Sequence, residues 1–534
     1  RRASNRERPS IDMPLFKIDD LQLWTGGKWS NLPKKYPDIR GFSTDSRKMG
    51  ENCAFVAIEA GRDGHDFAAD AEKNGAVAVI ASKPVETSLP VLTVPDTLRA
   101  LQTIAKFHRL RFEFPVAGIT GSCGKTTTKE FLSRLMAWKK PLSTEENFNN
   151  ELGVALTLTK IDLRENMCAI VEAGVGAPGQ MEPLASMIEP DIAIITNVLP
   201  AHMERFGEMA AVAREKAGLA RGLAKDGWAV FHNNLLSWKA FEELQCKKAV
   251  VAPADAPDIR GDLVFRYSLN SEGPTTRIEM CVEGGSEYCF EMPTLTKGMM
   301  ENAALCIAAA LIMGTSEEQL AARLEGIAPG PMRGSVVESD KAKFYVDCYN
   351  ASPASMKDAL RRFLSLSEGS PRLFVLGSMA ELGLSSHRHH REIGEMIPRA
   401  EGDRAVLVGA NSETYKAAML ACGWQEGEIL EAQSAEEAAG AVGEFEGWVF
   451  LKGSRVCGLE RSLPQEVLEK LSIEVPREEE PEPEPEPEPE AEDSEAPRPG
   501  AGDDEDDDGF DEPEEFDGEG FSRDKEEDDE RERF

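Results

Sequence analysis

The ten cysteines of this 534-residue chain include no Cys-x-x-Cys pair, so the spacing that marks redox dithiols and many zinc sites is missing. Several sit in apolar runs, Cys168 in "NMCAIVE" and Cys306 in "AALCIAAAL", which reads as buried free thiols in a reducing compartment. The longest apolar stretch, "AALCIAAALIMG", falls short of the roughly 20 residues that span a bilayer. No secretory signal is visible. These absences lead to an expectation of a cytoplasmic protein with no transmembrane segment. Basic charge is also scarce, 60 Lys+Arg against 95 Asp+Glu for a net charge of -35, and no nucleic acid partner is expected.

That imbalance is concentrated. Residues 478 to 534, opening "EEEPEPEPEPEPE", carry 30 acidic and 5 basic residues with almost no aliphatic side chain. Such a segment cannot bury enough surface to offset the entropy of ordering it. A disordered acidic tail over 476 to 534 is expected, mainly a solvating appendage, with docking of a basic partner as the alternative. Residues 1 to 12, "RRASNRERPSID", resemble neither signal nor core, which puts the expected natural start at Met13.

A chain of 534 residues outgrows one core, and roughly 100 to 200 residues per domain gives about three domains. From 14 to 112, "NCAFVAIEA", "AVAVIAS" and "PVLTVP" read as short strands, and "DTLRALQTIAKFHRLRF" as an amphipathic helix. From 113 to 330, "FPVAGIT", "MCAIVEAG", "DIAIITNV" and "WAVFHN" read as strands buried on both faces, the mark of a parallel sheet wound with helices. From 331 to 475, "KFYVDCY", "RLFVLG", "RAVLVG" and "GWVFLKG" repeat the rhythm. The expected fold class is α/β, with three α/β domains: an N-terminal domain, a central P-loop ATPase-like parallel sheet and a C-terminal Rossmann-like domain.

Between "PVAGIT" and a helix starting near Thr126 lies "GSCGKTTT". Backbone N–H groups from Gly121 through Ser122, Cys123, Gly124, Lys125 and Thr126 to Thr127 would converge on phosphate oxygens at the positive helix end. Lys125 would reach the outer phosphates, and the Thr126 hydroxyl would serve Mg2+. The strict phosphate-loop motif wants glycine where Ile119 stands. Glu172 ends an apolar strand, and a strand-end carboxylate faces the ligand crevice of such a sheet, placing it as a metal ligand or as a merely solvated group. Asn197, His202 and Lys216 follow another strand end. A lysine beside a metal is electrostatically odd, and Mg2+ prefers oxygen to imidazole.

Here the residues carry a resemblance. "TGSCGKTTTKEF", "STEENFNNELGVALTL", "VEAGVGAPG", "ITNVLPAHMERFG", the lysine 14 residues after the histidine, "DCYNASPASMKDAL", "GSMAELG" and "LKGSR" together resemble the Mur ligase family, in its D-alanyl-D-alanine-adding branch. The likeness runs in order over residues 14 to 470. "FSTDSRKMGENCAFVAIEAGRDGHDF" extends it, because it is similar to the segment that holds the UDP end of the substrate.

The resemblance implies an ATP-dependent amide ligase that joins D-Ala-D-Ala to a UDP-MurNAc-tripeptide through an acyl phosphate. It implies ATP, two Mg2+ ions and CO2, the last as a carbamate on Lys216 that turns a cation into an anionic oxygen ligand. Thr126 and Glu172 would hold one Mg2+; Glu172, His202 and the modified Lys216 would organise the second. ATP-binding roles fall by the same likeness to Asn302 near the adenine, Arg333 near the phosphates and Asp347 near the ribose. Substrate-binding roles fall to Ser43, Asp45, Ser46 and Arg47, to Asn147, Asn149 and Asn150, and to Tyr349, Asn350 and Lys452, with Pro353 shaping the same loop as Tyr349. Glu381, Leu382 and Gly383 lie in a branch-specific segment. The histidines 387, 389 and 390 are expected as a surface cluster, since their spacing does not converge on a metal. "LTKGMMENAAL" lacks a histidine common in the family before Asn302. The alternatives are a sibling ligase adding the third peptide residue and, from another class, a non-catalytic scaffold working through the tail; a folate polyglutamylating ligase would leave the N-terminal domain without purpose.

Overall fold

The computed structural model describes residues 16–224 and 226–473. The readings made for residues 1 to 12, for the start at 14 and for the acidic tail lie outside the described residues.

Three sheets carry the described chain, of five, nine and six strands. The first runs in the order Lys28–Ser30, Val91–Thr93, Ala78–Ala81, Cys53–Val56, Gly41–Ser43, parallel except for its first strand. Helix Thr97–Leu110 follows, its first turn capped by Asp96, whose side chain accepts from Arg99 N–H. Its apolar stripe, Ala100, Leu101, Ile104 and Ala105, lies in one core with residues of this sheet and of the next.

In the second sheet the strand Val116–Thr120 lies between Ala169–Glu172 and Ile192–Ile195, all parallel. From Val116–Thr120 the chain goes first to one side of that strand and then to the other, and at such a switch point the strand ends leave a crevice for a ligand. Beyond Trp228–His232 and Lys247–Pro253, two antiparallel hairpin steps extend the sheet: Leu263–Glu272, Thr275–Val282 and Glu287–Pro293. The parallel reading of the central region holds as far as Leu263–Glu272; the antiparallel strands are an addition. Thr275–Val282 alternates exposed and buried residues, as a strand with one wet face must. Helix Lys297–Ile312, which holds "AALCIAAALI", is buried nearly all round against this sheet, so its apolarity serves a core. No described helix is long and apolar enough to cross a membrane.

The third sheet runs Ser335–Glu338, Ala342–Asp347, Gly447–Lys452, Arg372–Gly377, Arg404–Val408, Ile429–Ala432, parallel after its first strand. Its two faces have cores of their own. By contrast, one continuous core holds Ile80 and Leu92 of the first sheet together with Val171 and Ile195 of the second. All ten cysteines are free thiols.

Candidate active site

The loop after Val116–Thr120 turns at two glycines with positive φ, Gly121 at 151° and Gly124 at 82°. A Cβ on Gly121 would stand 1.9 Å from Thr196 Oγ1, and one on Gly124 2.4 Å from Asn302 Nδ2, so only glycine fits either place. Helix Lys125–Leu135 starts there, with Gly124 at its N-cap, so its free N–H groups open onto the crevice. The loop is braced from behind. Cys123 N–H donates to Asn197 Oδ1 at 2.9 Å, Cys123 C=O accepts from Thr196 Oγ1 at 2.6 Å and from Asn197 Nδ2 at 3.0 Å, and Ser122 Oγ donates to Leu199 C=O at 2.8 Å. Asn197 thus shapes the phosphate loop, while Lys125 Nζ folds back on Gly121 C=O at 3.0 Å.

Glu172 closes the neighbouring strand and is 1% exposed. Its Oε1 accepts from Asn149 Nδ2 at 2.8 Å; its Oε2 is buried with no hydrogen-bond partner. A buried carboxylate oxygen left bare costs more than a buried apolar atom unless a cation completes it. Divalent magnesium, which takes hard oxygen donors, fits that oxygen.

Lys216 stands on helix Met209–Arg221 and is 2% exposed. It makes no ion pair among the described residues. Burial first, then the nearby Lys125 cation, push its ammonium down to about 7, against a smaller pull from Glu215. A lysine held in this state offers a neutral amine, the form that can take up CO2. Burial also holds His202 below the usual imidazole range, Lys216 and Lys125 working the same way and Glu381 opposing. His202 sits in the left-handed region at φ 51°, as does Glu381 at 62°. Its Nδ1 lies 2.7 Å from Glu381 Oε2, so the "GSMAELG" loop of the third sheet reaches the central crevice.

Asn302 abuts the phosphate loop through Gly124. Asn149 reaches Glu172, whereas Asn150 spends its side chain capping helix Glu151–Thr159, accepting from Gly153 N–H at 2.8 Å. That helix packs against strand Gly41–Ser43. There Ser43 Oγ accepts from Asp45 N–H, Asp45 pairs with Arg47 at 2.9 Å, and Ser46 C=O accepts from Asn74. Asp347 ends Ala342–Asp347 and pairs at 2.7 Å with Lys452. Burial raises the Asp347 carboxyl while Lys452 and Arg333 oppose it. Arg333 lies over the Tyr349 ring, 4.1 Å from its centroid. Asn350 Oδ1 turns inward to Ala351 N–H.

One expectation changes, that of the histidines, and the surroundings of Lys452 become explicit. Lys452, expected to bind substrate, ends strand Gly447–Lys452, is 1% exposed and donates to Asp347 and to Asn350 C=O. Of the expected surface histidines only His387 is exposed. His389 and His390 are buried because helix Ser386–Met396 turns that side onto helix Ser412–Ala421. His390 Nε2 accepts from Met379 N–H at 2.8 Å and its Nδ1 faces Ser386 C=O, leaving no nitrogen for a metal. Another acidic group, Glu59, Asp63 and His65, already holds Lys83 at 2.8 and 3.0 Å.

Sequence reasoning missed Lys129, Glu130 and Thr144. Lys129 is buried and donates to Thr144 C=O, and Thr144 Oγ1 accepts from Glu172 N–H. Glu130 is raised by burial, with Arg333 and Lys129 opposing. The signal was a charged pair, "KE", on the buried side of the helix that follows the phosphate loop.

Three family models match in order: Mur ligase family, catalytic domain, over residues 38–109; Mur ligase middle domain over 119–310; and Mur ligase, glutamate ligase domain, over 332–455. A Bacillus subtilis protein named UDP-N-acetylmuramoyl-tripeptide--D-alanyl-D-alanine ligase is 32% identical over 400 residues, 73% of this chain and 85% of its own. Its Escherichia coli namesake is 30% identical over 394 residues, 70% and 82% of the two chains. A crystal structure of MurF from Acinetobacter baumannii matches with a TM-score of 0.72 at 25% identity, covering 86% of this chain and 99% of that one. The MurF ligase of Thermotoga maritima in complex with ADP matches with a TM-score of 0.65 at 26% identity, covering 81% and 98%. With three of its family models matched in order along the chain and a relative 32% identical over 85% of that relative's length, the chain belongs to the Mur ligase family.

Proposed function

We propose that the protein is an ATP-dependent ligase that adds D-alanyl-D-alanine to UDP-N-acetylmuramoyl-tripeptide, in the cytoplasm, supplying a peptidoglycan precursor. The observation that carries this is the bare, buried Oε2 of Glu172 beside a phosphate loop whose backbone is fixed on three sides. The named relatives support the choice of substrates, and the ADP complex supports the nucleotide. The domains are assigned as 14–112 for the UDP end, 113–330 for ATP and 331–475 for the incoming dipeptide.

Joining a carboxylate to an amine in water is uphill, so the peptide carboxylate first attacks the γ-phosphorus of ATP. The P–O bond to ADP breaks and an acyl phosphate forms. The amine of the dipeptide then attacks that carbonyl, loses a proton, and phosphate leaves. Helix N–H groups from Gly124 onward and the Lys125 ammonium offset the charge of two anions brought together. Thr126, Glu172, His202 and Lys216, the last as its CO2 adduct, would hold up to two Mg2+ ions, which supply charge neutralisation on the transferring phosphoryl group. The Lys216 carbamate is favoured by that side chain's burial without an ion pair, since an anion there would answer both Lys125 and the metal.

Phosphate release with ATP and Mg2+, adding UDP-MurNAc-tripeptide and D-Ala-D-Ala separately and together, is the test, with the product weighed by mass spectrometry. Release only with both, and the mass of the UDP-MurNAc-pentapeptide, is the expected outcome. Turnover with a single amino acid and UDP-MurNAc-dipeptide would move the protein to the sibling activity, and silence with every pair would overturn the enzyme reading.

A further inference from the structure

The "LKGSR" turn contains two cations, and the structure separates their fates. Lys452 is sealed against Asp347 and Asn350 C=O. Three residues on, Arg455 is half exposed, its guanidinium held at 2.7 Å by the Glu460 carboxylate, itself 5% exposed. Arg455 lies 5.9 Å from the centroid of the Tyr349 ring, which Arg333 also covers at 4.1 Å. Both guanidiniums therefore stand at the carboxyl ends of strands Ala342–Asp347 and Gly447–Lys452, where a parallel sheet opens to its ligand.

The turn that carries Arg455 is rigid. Gly453 packs on Gly377 so tightly that a Cβ would come 2.8 Å from its Cα. Ser454 N–H donates to Ser378 C=O at 3.0 Å, and Ser454 Oγ accepts from Ala380 N–H at 2.8 Å. Cys457 N–H closes the turn on Ser454 C=O at 2.9 Å. A guanidinium preset in this way loses little freedom when it takes a ligand. Val456 beside it is 83% exposed.

We propose that Arg455, and not Lys452, recognises the terminal carboxylate of the incoming peptide. This rests on the ligase reading above and sharpens it: the amino component is a small peptide with a free α-carboxylate, paired through the planar fork that suits carboxylates. The remaining N–H groups of Arg455 make the bond; Glu460 aims them and is a positioning residue.

The test is steady-state kinetics with D-Ala-D-Ala and with its C-terminal amide, on wild type, R455K, R455A and R455A/E460Q. The double variant guards against misfolding, since R455A alone strands the buried Glu460 charge. In wild type the amide is expected to have a KM on the order of 10- to 100-fold above that of the acid, the range of a lost charge-assisted bond. In R455A and R455A/E460Q the KM for the acid rises by a like factor, the amide is unaffected, and the preference disappears; R455K falls between. KM for ATP and for the UDP-peptide stays within about 2-fold in every variant. An acid-over-amide preference that survives R455A and R455A/E460Q overturns the inference, as does a KM for ATP that rises with that of the dipeptide. Absence of turnover by the wild type would instead overturn the ligase reading.

Discussion

Helix Thr97–Leu110 meets the central sheet through an apolar core that runs unbroken from one to the other. Its polar groups are sealed into that contact: His108 Nε2 faces Ile161 C=O at 2.9 Å, and Arg109 donates to Ile188 C=O and Glu189 C=O. The central sheet meets the third sheet differently. There Gly298 N–H donates to Asp358, Arg362 donates to Thr294 C=O, and His202 pairs with Glu381, while the cores on either side stay separate. Apolar burial scales with area and holds two parts fixed. Polar contacts exchange with water at a net difference of about 1 kcal/mol each, so the second seam is expected to open and close more readily. His202, proposed above as a metal ligand, borders the polar seam, and the N-terminal domain proposed to take the UDP end lies on the apolar one.

The comparison breaks most visibly at the catalytic groups, where loss of turnover should come without loss of stability. K216A and E172Q are each expected to lower kcat by about 1,000-fold or more, with an unchanged or higher melting temperature, since each alters a buried polar group that lacks an ion pair. Short-chain carboxylates should restore part of the K216A activity and none of the E172Q activity. Full wild-type activity in CO2-free buffer would sink the carbamate.

At the apolar seam the pattern should reverse. Leu101 is fully buried there, and L101A is expected to cost about 2 to 5 kcal/mol in urea unfolding while leaving KM for ATP and dipeptide unchanged. A shift in KM as large as the loss of stability would show that the seams are not independent.

The same seam sets a pH dependence. Burial pushes His108 down to about 4 from an ordinary value of 6.5. The unfolded chain therefore takes up this proton first as pH falls, and stability contributed by the neutral imidazole is lost between pH 6.5 and 4, by about 3 kcal/mol. Unfolding titrations of wild type and H108Q across that range check it; parallel curves would count against it.

The smallest effect belongs to the polar seam. X-ray scattering should show the protein compact when an ATP analogue and UDP-tripeptide bind. E381A should raise the ligand concentration needed by about 2- to 5-fold, the worth of one partly exposed polar contact. Unchanged dimensions in wild type would remove the mobile seam from the comparison.

Much of this was readable in the chain. Runs such as "FPVAGIT" and "RLFVLG" are buried on both faces of a parallel sheet, so local composition announces them. The phosphate loop was legible because glycine, lysine and threonine at fixed spacing have few other uses, and Glu172 because a strand end has a fixed place in such a sheet. The antiparallel extension past Leu263 was passed over although "TTRIEMCV" alternates with period two. What stayed hidden depends on long-range contact. Nothing local says that Lys452 is swallowed by Asp347 while Arg455 is not, that His390 is spent on Met379 N–H, or that Glu381 reaches His202 from another sheet.

Between helix Lys297–Ile312 and the third sheet lies a cavity of about 190 Å³, lined by Thr296, Met299, Pro329, Tyr345 and Arg362 among others. Tyr345 there is 1% exposed and its hydroxyl has no partner. Hydrostatic pressure favours whichever arrangement has the smaller volume. Compression should therefore act on the polar seam before it acts on the close-packed one, so that modest pressure becomes a dial on the contact between the second and third sheets while the first sheet keeps its place.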